Sequence, residues 1–360
     1  MYDLVVVGAG PAGSRLARRF ADRGENVVVL ERGEVGVPLA CSGHVSGDVW
    51  NFLPDGARDE LIGNEIRGAR FHVGDSSYEF YRDETVSYAI DRVGMDRILA
   101  DEARDAGATL QQNTPVVGVD ESDDGVTVRT DGGKTYDAKL VAGCDGPRST
   151  VRDEVGLPEP DELLQGVLGF ADEGDANDDD LVDVYVDVPD FFGWRIPRGD
   201  CVEYGSASSG SPREELEDVA GVDVSSFDRV CAGQIPIGSP TRTATDRCFL
   251  VGDSAAQTKP FTGGGIVYGM TSADIAARHV NPDSPGTLGV YDRAWRDELG
   301  REMYLGSIIR KAYALPRPVQ RAVMTAFEGE INVHMDRPTT LLNRSTARRV
   351  VRNVLGVNQS

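Results

Sequence analysis

Residues 1–32 constrain this chain most, because they read without interruption as a strand, a glycine turn, a helix and a second strand. Residues 2–7 are an apolar run with valine at three consecutive positions, and they lead straight into Gly8-Ala9-Gly10-Pro11-Ala12-Gly13. In such a turn Gly8 permits the tight bend, Gly10 removes the Cβ that would stand between backbone and a pyrophosphate, and Gly13 lets the helix pack close to the sheet. Residues 14–23 continue as a helix with Leu16, Ala17, Phe20 and Ala21 on one face, stopped by Gly24. Residues 26–30 form the second strand, and Glu31 stands at its carboxyl end, near the spacing at which an acid bonds an adenosine ribose. The pattern predicts a dinucleotide site on a Rossmann-type α/β fold. It does not separate FAD from NAD.

A chain of 360 residues with 40% hydrophobic content has material for about two domains. No apolar stretch approaches the length of a membrane-spanning helix, and the chain opens on a fold element instead of a signal peptide, so a cytoplasmic location is expected. Cys41, Cys144, Cys201, Cys231 and Cys248 are odd in number and lack a CxxC pair, and no two of the four histidines have ligand spacing, so neither a disulfide framework nor a metal site is expected. The formal charge is −22, and the lysines are only Lys134, Lys139, Lys259 and Lys311. Cationic partners would suit such a chain, but a diffuse acidic excess with scarce lysine favours a halophile's salty cytoplasm and argues against nucleic acid. From residue 301 onward ten basic residues face four acidic ones, which leaves residues 1–300 at −28. That basic end suggests peripheral contact with an anionic membrane, with residues 343–355 as a candidate interfacial helix or a segment packed on the acidic body.

Further along, residues 38–43 form a loop passing back toward the nucleotide, and 69–73 and 78–81 are strands of a sheet away from it. A helix is expected over 95–106, then strands over 109–112, 116–119, 126–129 and 139–143, a meander returning to the parallel sheet and ending in Cys144-Asp145-Gly146. Residues 166–207 are strand-rich, interrupted by the acidic run 172–180, which reads as a solvated loop. Strand 248–251 runs into Gly252-Asp253, and Gly263-Gly264-Gly265-Ile266 opens a helix reaching about residue 278. Helices broken at Pro316, Pro318 and Pro338 follow. The expected organisation is a discontinuous nucleotide domain over 1–70, 90–160 and 245–280, a mixed β-sheet substrate domain over 71–89 and 161–244, and a helical region over 281–360.

Three glycine-containing turns thus follow strands at the start, middle and end of the chain. This ordered trio resembles the FAD-dependent oxidoreductases of the aromatic-hydroxylase type. Within them, residues 38–43 and Phe192-Gly193-Trp194-Arg195-Ile196-Pro197 are similar to the cysteine loop and the aromatic-x-Trp-x-aromatic-Pro motif of the archaeal geranylgeranyl reductase family, with Ile196 where an aromatic residue is usual. The resemblance implies FAD held by Gly8, Gly10, Ala12 and Gly13 at a helix N-terminus, with Glu31 on the ribose and Arg32 flanking it. It further implies Arg92 near the ribityl-phosphate region, Val117 on the adenine through its backbone, and Asp145 and Gly146 in the middle turn. Asp253 would bond the ribityl chain, with Gly263, Gly264, Gly265 and Ile266 against the flavin and Cys41, Ser42 and Gly43 lining the same ring. Phe192, Gly193, Trp194 and Pro197 would contact an isoprenoid lipid, whose double bonds would be reduced by hydride from reduced FAD, with electrons from an external donor, ferredoxin or NAD(P)H. The proton donor is unassigned, with Cys41 a candidate; Cys41 also fits a plain buried thiol, and Trp194 ordinary core packing.

Two other readings stay open. The segment 193–197 also resembles the halogenase Trp-x-Ile-Pro signature, although no lysine lies between residues 1 and 133, where a halogenase places its own. A monooxygenase acting on an aromatic substrate belongs to the same branch. A flavin-binding protein without turnover is the third.

Overall fold

A computed structural model describes residues 1–39, 41–172, 179–327 and 334–342. The chain opens with β1 (Tyr2–Val7), α1 (Pro11–Ala21) and β2 (Val27–Leu30), then β3 (His44–Ser46), α2 (Ala57–Leu61), β4 (Ile62–Ile66), β5 (Gly68–Val73), β6 (Ser76–Tyr81) and β7 (Ser87–Ile90). Next come α3 (Arg92–Asp105), β8 (Thr109–Gln111), β9 (Val116–Ser122), β10 (Gly125–Thr130), β11 (Thr135–Gly143) and α4 (Thr150–Glu154). Then follow β12 (Glu162–Ala171), β13 (Leu181–Tyr185), β14 (Phe192–Pro197), β15 (Val202–Ser208), α5 (Pro212–Ala220) and β16 (Arg229–Ile237). The last elements are β17 (Cys248–Leu250), α6 (Ile266–His279), α7 (Leu288–Arg310) and α8 (Arg317–Phe327).

The nucleotide sheet has the order β8-β2-β1-β11-β10-β9, with β17 also on β11; β8, β2, β1, β11 and β17 run parallel, and β9 and β10 form the antiparallel meander. Its parallel strands are covered on both faces, as their uninterrupted valine and leucine runs require. On one face α1, α6 and α7 bury Leu16, Phe20, Ile275, Tyr291 and Trp295 against Leu4, Val6 and Phe249. The chain's 281–310 portion therefore belongs to the nucleotide-side core, anchored by Tyr291, whose hydroxyl donates to the Leu250 carbonyl at 2.8 Å. α1 starts three residues earlier than its hydrophobic face suggests, because Pro11 supplies the first helical position at no hydrogen-bonding cost. Pro318 likewise sits in the first turn of α8 and does not break it.

A second sheet has the order β16-β12-β15-β14-β13-β5-β6 and shares a cavity with the turns that follow β1, β11 and β17 of the first. Residues 87–90 do not join it, contrary to the sequence-based expectation for 71–89. β7 pairs instead with β3 and β4 in a three-stranded sheet of its own, where Tyr88 and Ile90 pack on Val45, Leu61 and Leu99. Most of the acidic run and all of 343–355, the candidate interfacial helix, lie outside the described residues.

Candidate functional site

The carboxyl end of β1 turns at Gly8, where φ is +99° and an added Cβ would stand 2.4 Å from the Cys144 carbonyl oxygen, so only glycine fits. A Cβ on Gly13 would lie 2.0 Å from the Gly8 oxygen, which is the close helix–sheet approach expected of it. Gly10 and Gly146, by contrast, face open space: nothing lies within 4 Å of either added Cβ. Glu31 accepts from the Ala9 N–H at 2.7 Å and the Gly33 N–H at 3.1 Å, tying the second strand's end to the first turn. Arg32 and Val117 are exposed, Val117 to 52%, and neither lines the cavity beside the first turn. Asp145 does not present its carboxylate to the cradle: it accepts from the Ser149 hydroxyl at 2.6 Å and the Val151 N–H at 3.1 Å, fixing the start of α4. Its contribution there is to the turn's shape.

Between this turn and the second sheet runs a cavity of about 760 Å³. Gly10, Ala12 and Gly146 line one end, and Cys41, Ser42, Arg92, Asp253 and the stretch Gly263, Gly264, Gly265 and Ile266 line the middle. Gly43 lies behind that wall, with φ +67° and its N–H 3.5 Å from the Cys41 sulfur. Arg92 starts α3 next to Asp91, which caps the helix by accepting from the Val93 and Gly94 N–H groups. Burial works against its charge, but Asp96 and Cys41 beside it hold the guanidinium protonated; Nη1 pairs with Asp96, and Nε has no hydrogen-bond partner among the described residues. A buried cation with an unspent donor beside an open glycine turn fits an anionic, pyrophosphate-bearing cofactor. Burial pushes the Asp253 carboxyl above its ordinary value, against the Thr258 hydroxyl that donates to it at 3.2 Å and the nearby Arg92.

Three cavity-facing groups that sequence reading did not select also appear here. Lys259 and Asp336 form an ion pair at 2.5 Å with side chains 7% and 3% exposed. Although burial opposes its charge, Lys259 holds Asp336 below the ordinary carboxylate value. His44 lies 2.8 Å from the Ser87 hydroxyl, and burial followed by Lys259 and Arg198 depresses its pKa to about 4. Lysine's scarcity in this chain was the one signal that marked Lys259.

The far wall belongs to β14. Its pleat alternates, so Phe192, Trp194 and Ile196 face the cavity. Gly193 and Pro197, expected as substrate contacts, sit at the intervening positions and do not line it; a Cβ on Gly193 would meet Val219 on the opposite side at 2.4 Å. Phe192 meets Trp194 edge-on at 5.9 Å and Tyr313 at the same separation. The Trp194 indole N–H donates to Glu203 at 2.8 Å, and Glu203 also pairs with Arg198 at 3.1 Å. Arg198 donates in turn to the Ser42 carbonyl and, at 2.5 Å, to that of Ile90. The aromatic wall and the cysteine loop are thus linked through a buried ion pair.

Residues 1–194 match the family model described as FAD binding domain. The digeranylgeranylglycerophospholipid reductase of Methanothrix thermoacetophila is 30% identical over 84% of this chain and 84% of its own. Among solved structures, a geranylgeranyl bacteriochlorophyll reductase-like protein from Thermoplasma acidophilum superposes with a TM-score of 0.82 at 23% identity, covering 99% of this chain and 98% of that one. The halogenase PltM shares the fold at a TM-score of 0.69 and 14% identity, covering 91% of this chain and 80% of its own. With the glycine cradle, the cysteine loop and the aromatic strand around one cavity, the chain belongs to the geranylgeranyl reductase family of FAD-dependent oxidoreductases.

Proposed function

We propose that this protein saturates carbon–carbon double bonds of geranylgeranyl chains in archaeal membrane lipids or their precursors. The observation that carries the reading is one continuous cavity leading from the nucleotide glycines past Cys41 to a wall of Phe192, Trp194, Ile196, Val182 and Phe80. An isoprenoid chain fits such a wall because it offers branched apolar surface and asks for no hydrogen bonds. Reduced FAD, when bound, supplies the hydride that adds to one alkene carbon while a proton adds to the other. The chain's own residues exclude water and hold the double bond in place. Cys41 Sγ, on the wall beside Arg92, is the candidate proton source. His44 is not: with its pKa near 4 it stands neutral at physiological pH, a partner for Ser87. Electrons come from an external donor, ferredoxin or NAD(P)H, and the substrate places the protein peripherally at the inner face of the cell membrane. No helix among the described residues is long and apolar enough to cross that membrane.

The halogenase reading requires a free lysine in the cavity, and the lysine that lines it, Lys259, is held by Asp336. The deciding experiment is anaerobic: load with FAD, reduce with dithionite, add unsaturated archaeal diether lipid, and follow flavin absorbance and lipid mass. Flavin reoxidation with two hydrogens gained per double bond is expected. Flavin that stays reduced until oxygen is admitted, and then modifies an added aromatic compound, would transfer the protein to the monooxygenase branch.

A further inference from the structure

The cavity opens beside α8, and the surface around that opening is unusual for an acidic protein. A helix on a water-soluble protein ordinarily buries its apolar face. α8 does so only in part: Met324 and Phe327 are half-buried on the cavity wall. Its one fully buried residue is Gln320, whose amide donates to the Tyr313 carbonyl at 2.8 Å, while Arg321 donates to the Val73 carbonyl and Arg317 pairs with Asp187 at 2.8 Å. These polar contacts help to hold the helix to the body, and Val319 and Val323 are left 44% and 38% exposed. Leu315, just before α8, is 39% exposed, and at the end of α7 Ile308 and Tyr304 are 46% and 70% exposed. Leu315 and Val323 line the cavity as well, so apolar surface continues from the outside into the site.

Cations ring this opening. Arg67 and Arg82 line the cavity, whereas the neighbouring Asp83 and Glu84 do not. Arg67 stands a loose 3.9 Å from Asp180. Arg82, Lys311 and Arg321 have no carboxylate partner among the described residues. A basic rim around an apolar opening, on a chain whose net charge is −22, is matched by a surface with anionic headgroups over hydrocarbon.

From this placement we propose that the end of α7, Leu315 and α8 dock on an anionic lipid bilayer, with Arg67, Arg82, Lys311 and Arg321 on the headgroups, so that an isoprenoid chain passes from the membrane into the cavity without crossing water. The proposal rests on the lipid-reductase reading for its purpose, but its test does not depend on turnover. The FAD-loaded full chain is sedimented with vesicles of phosphatidylcholine containing about 30% phosphatidylglycerol, and with pure phosphatidylcholine vesicles. Expected are binding to the anionic vesicles that weakens with salt, little binding to the neutral ones, and at least about a tenfold loss in the variant Ile308→Glu/Val319→Glu. Both residues lie outside the cavity lining, so this variant should reoxidise its flavin normally with detergent-dispersed substrate. Equal binding to both vesicle types, or unchanged binding by the variant, would overturn the proposal. So would vesicle binding that vanishes on truncation after residue 342 while Ile308→Glu/Val319→Glu retains it, which would assign docking to the tail. A vesicle-indifferent dimer that the variant converts to a monomer, seen by light scattering, would make this face a contact between copies of the chain. Vesicle binding by a wild type that reduces no lipid would leave the docking surface standing and remove the proposed substrate.

Discussion

Glu203 is fully buried, and burial outweighs Arg198 and the Trp194 indole to push its carboxyl from 4.5 up to about 7. A carboxyl that binds its proton more tightly when folded stabilises the fold at low pH, and that contribution fades as pH rises from 4.5 through about 7. The size of the shift corresponds to about 3 kcal/mol. His44 has the opposite sign. Its folded pKa of about 4 lies below the ordinary 6.5, so its contribution is complete above 6.5 and is lost as pH falls toward 4. The two slopes oppose each other across most of the same window, and the wild-type stability curve alone does not separate them. Glu203→Gln keeps an oxygen to accept from Trp194 and removes the titration. Denaturant unfolding of both proteins from pH 5 to about 8 should show the variant gaining on the wild type as pH rises. A stability difference that stays flat across that range would mean that Glu203 is already ionised throughout.

β14 and β15 meet with Trp194 opposite Gly205, and a Cβ on Gly205 would lie 2.1 Å from the indole Cε2. Gly205→Ala must therefore swing the indole into the cavity or part the strands, at about 1–3 kcal/mol. The expected outcome is full FAD content with lipid-dependent flavin reoxidation slowed by about tenfold or more, read by stopped-flow absorbance; an unchanged rate would show that Trp194 is not part of the chain-binding wall. This pair also shows where sequence reading ends. β1, α1 and β2 were legible because strand, turn and helix follow one another within thirty residues, each with its own period. The motif around Trp194 was legible as a unit, but the pleat that sends Phe192 inward and Gly193 and Pro197 away is visible only once the cavity side of the sheet is known. The β3-β7-β4 sheet escaped because β3 is three residues long, its partner β7 lies more than forty positions downstream, and β4 joins β7 through a register shift. Glu203 and Asp336 escaped for a different reason: an acid in an acidic chain reads as solvated, and only the approach of Arg198 and Lys259 makes burial tolerable.

Asp336 draws distant parts of the chain together at the cavity. Lys259, from the loop ahead of α6, pairs with its carboxylate, the Ser46 hydroxyl from β3 donates to the same group, and the Tyr268 hydroxyl donates to its carbonyl at 2.8 Å. Two neighbours reinforce the clamp: Arg337 reaches Asp48 at 2.9 Å, and Thr339 donates its N–H to Glu302 at 2.9 Å. Elements placed hundreds of residues apart thereby close one side of the site, and the closure hangs on a charge pair almost without solvent. Removing one member of such a pair strands the other, at a cost of about 3–5 kcal/mol, whereas replacing both with apolar groups of similar size is often nearly neutral. Asp336→Asn should therefore lower the unfolding midpoint sharply. Lys259→Met/Asp336→Leu should recover most of the stability. Recovery would assign the loss to the unpaired Lys259 ammonium; a double variant as unstable as Asp336→Asn would assign it instead to the hydrogen bond that Ser46 makes to the Asp336 carboxylate, and to the geometry that it imposes on residues 334–342.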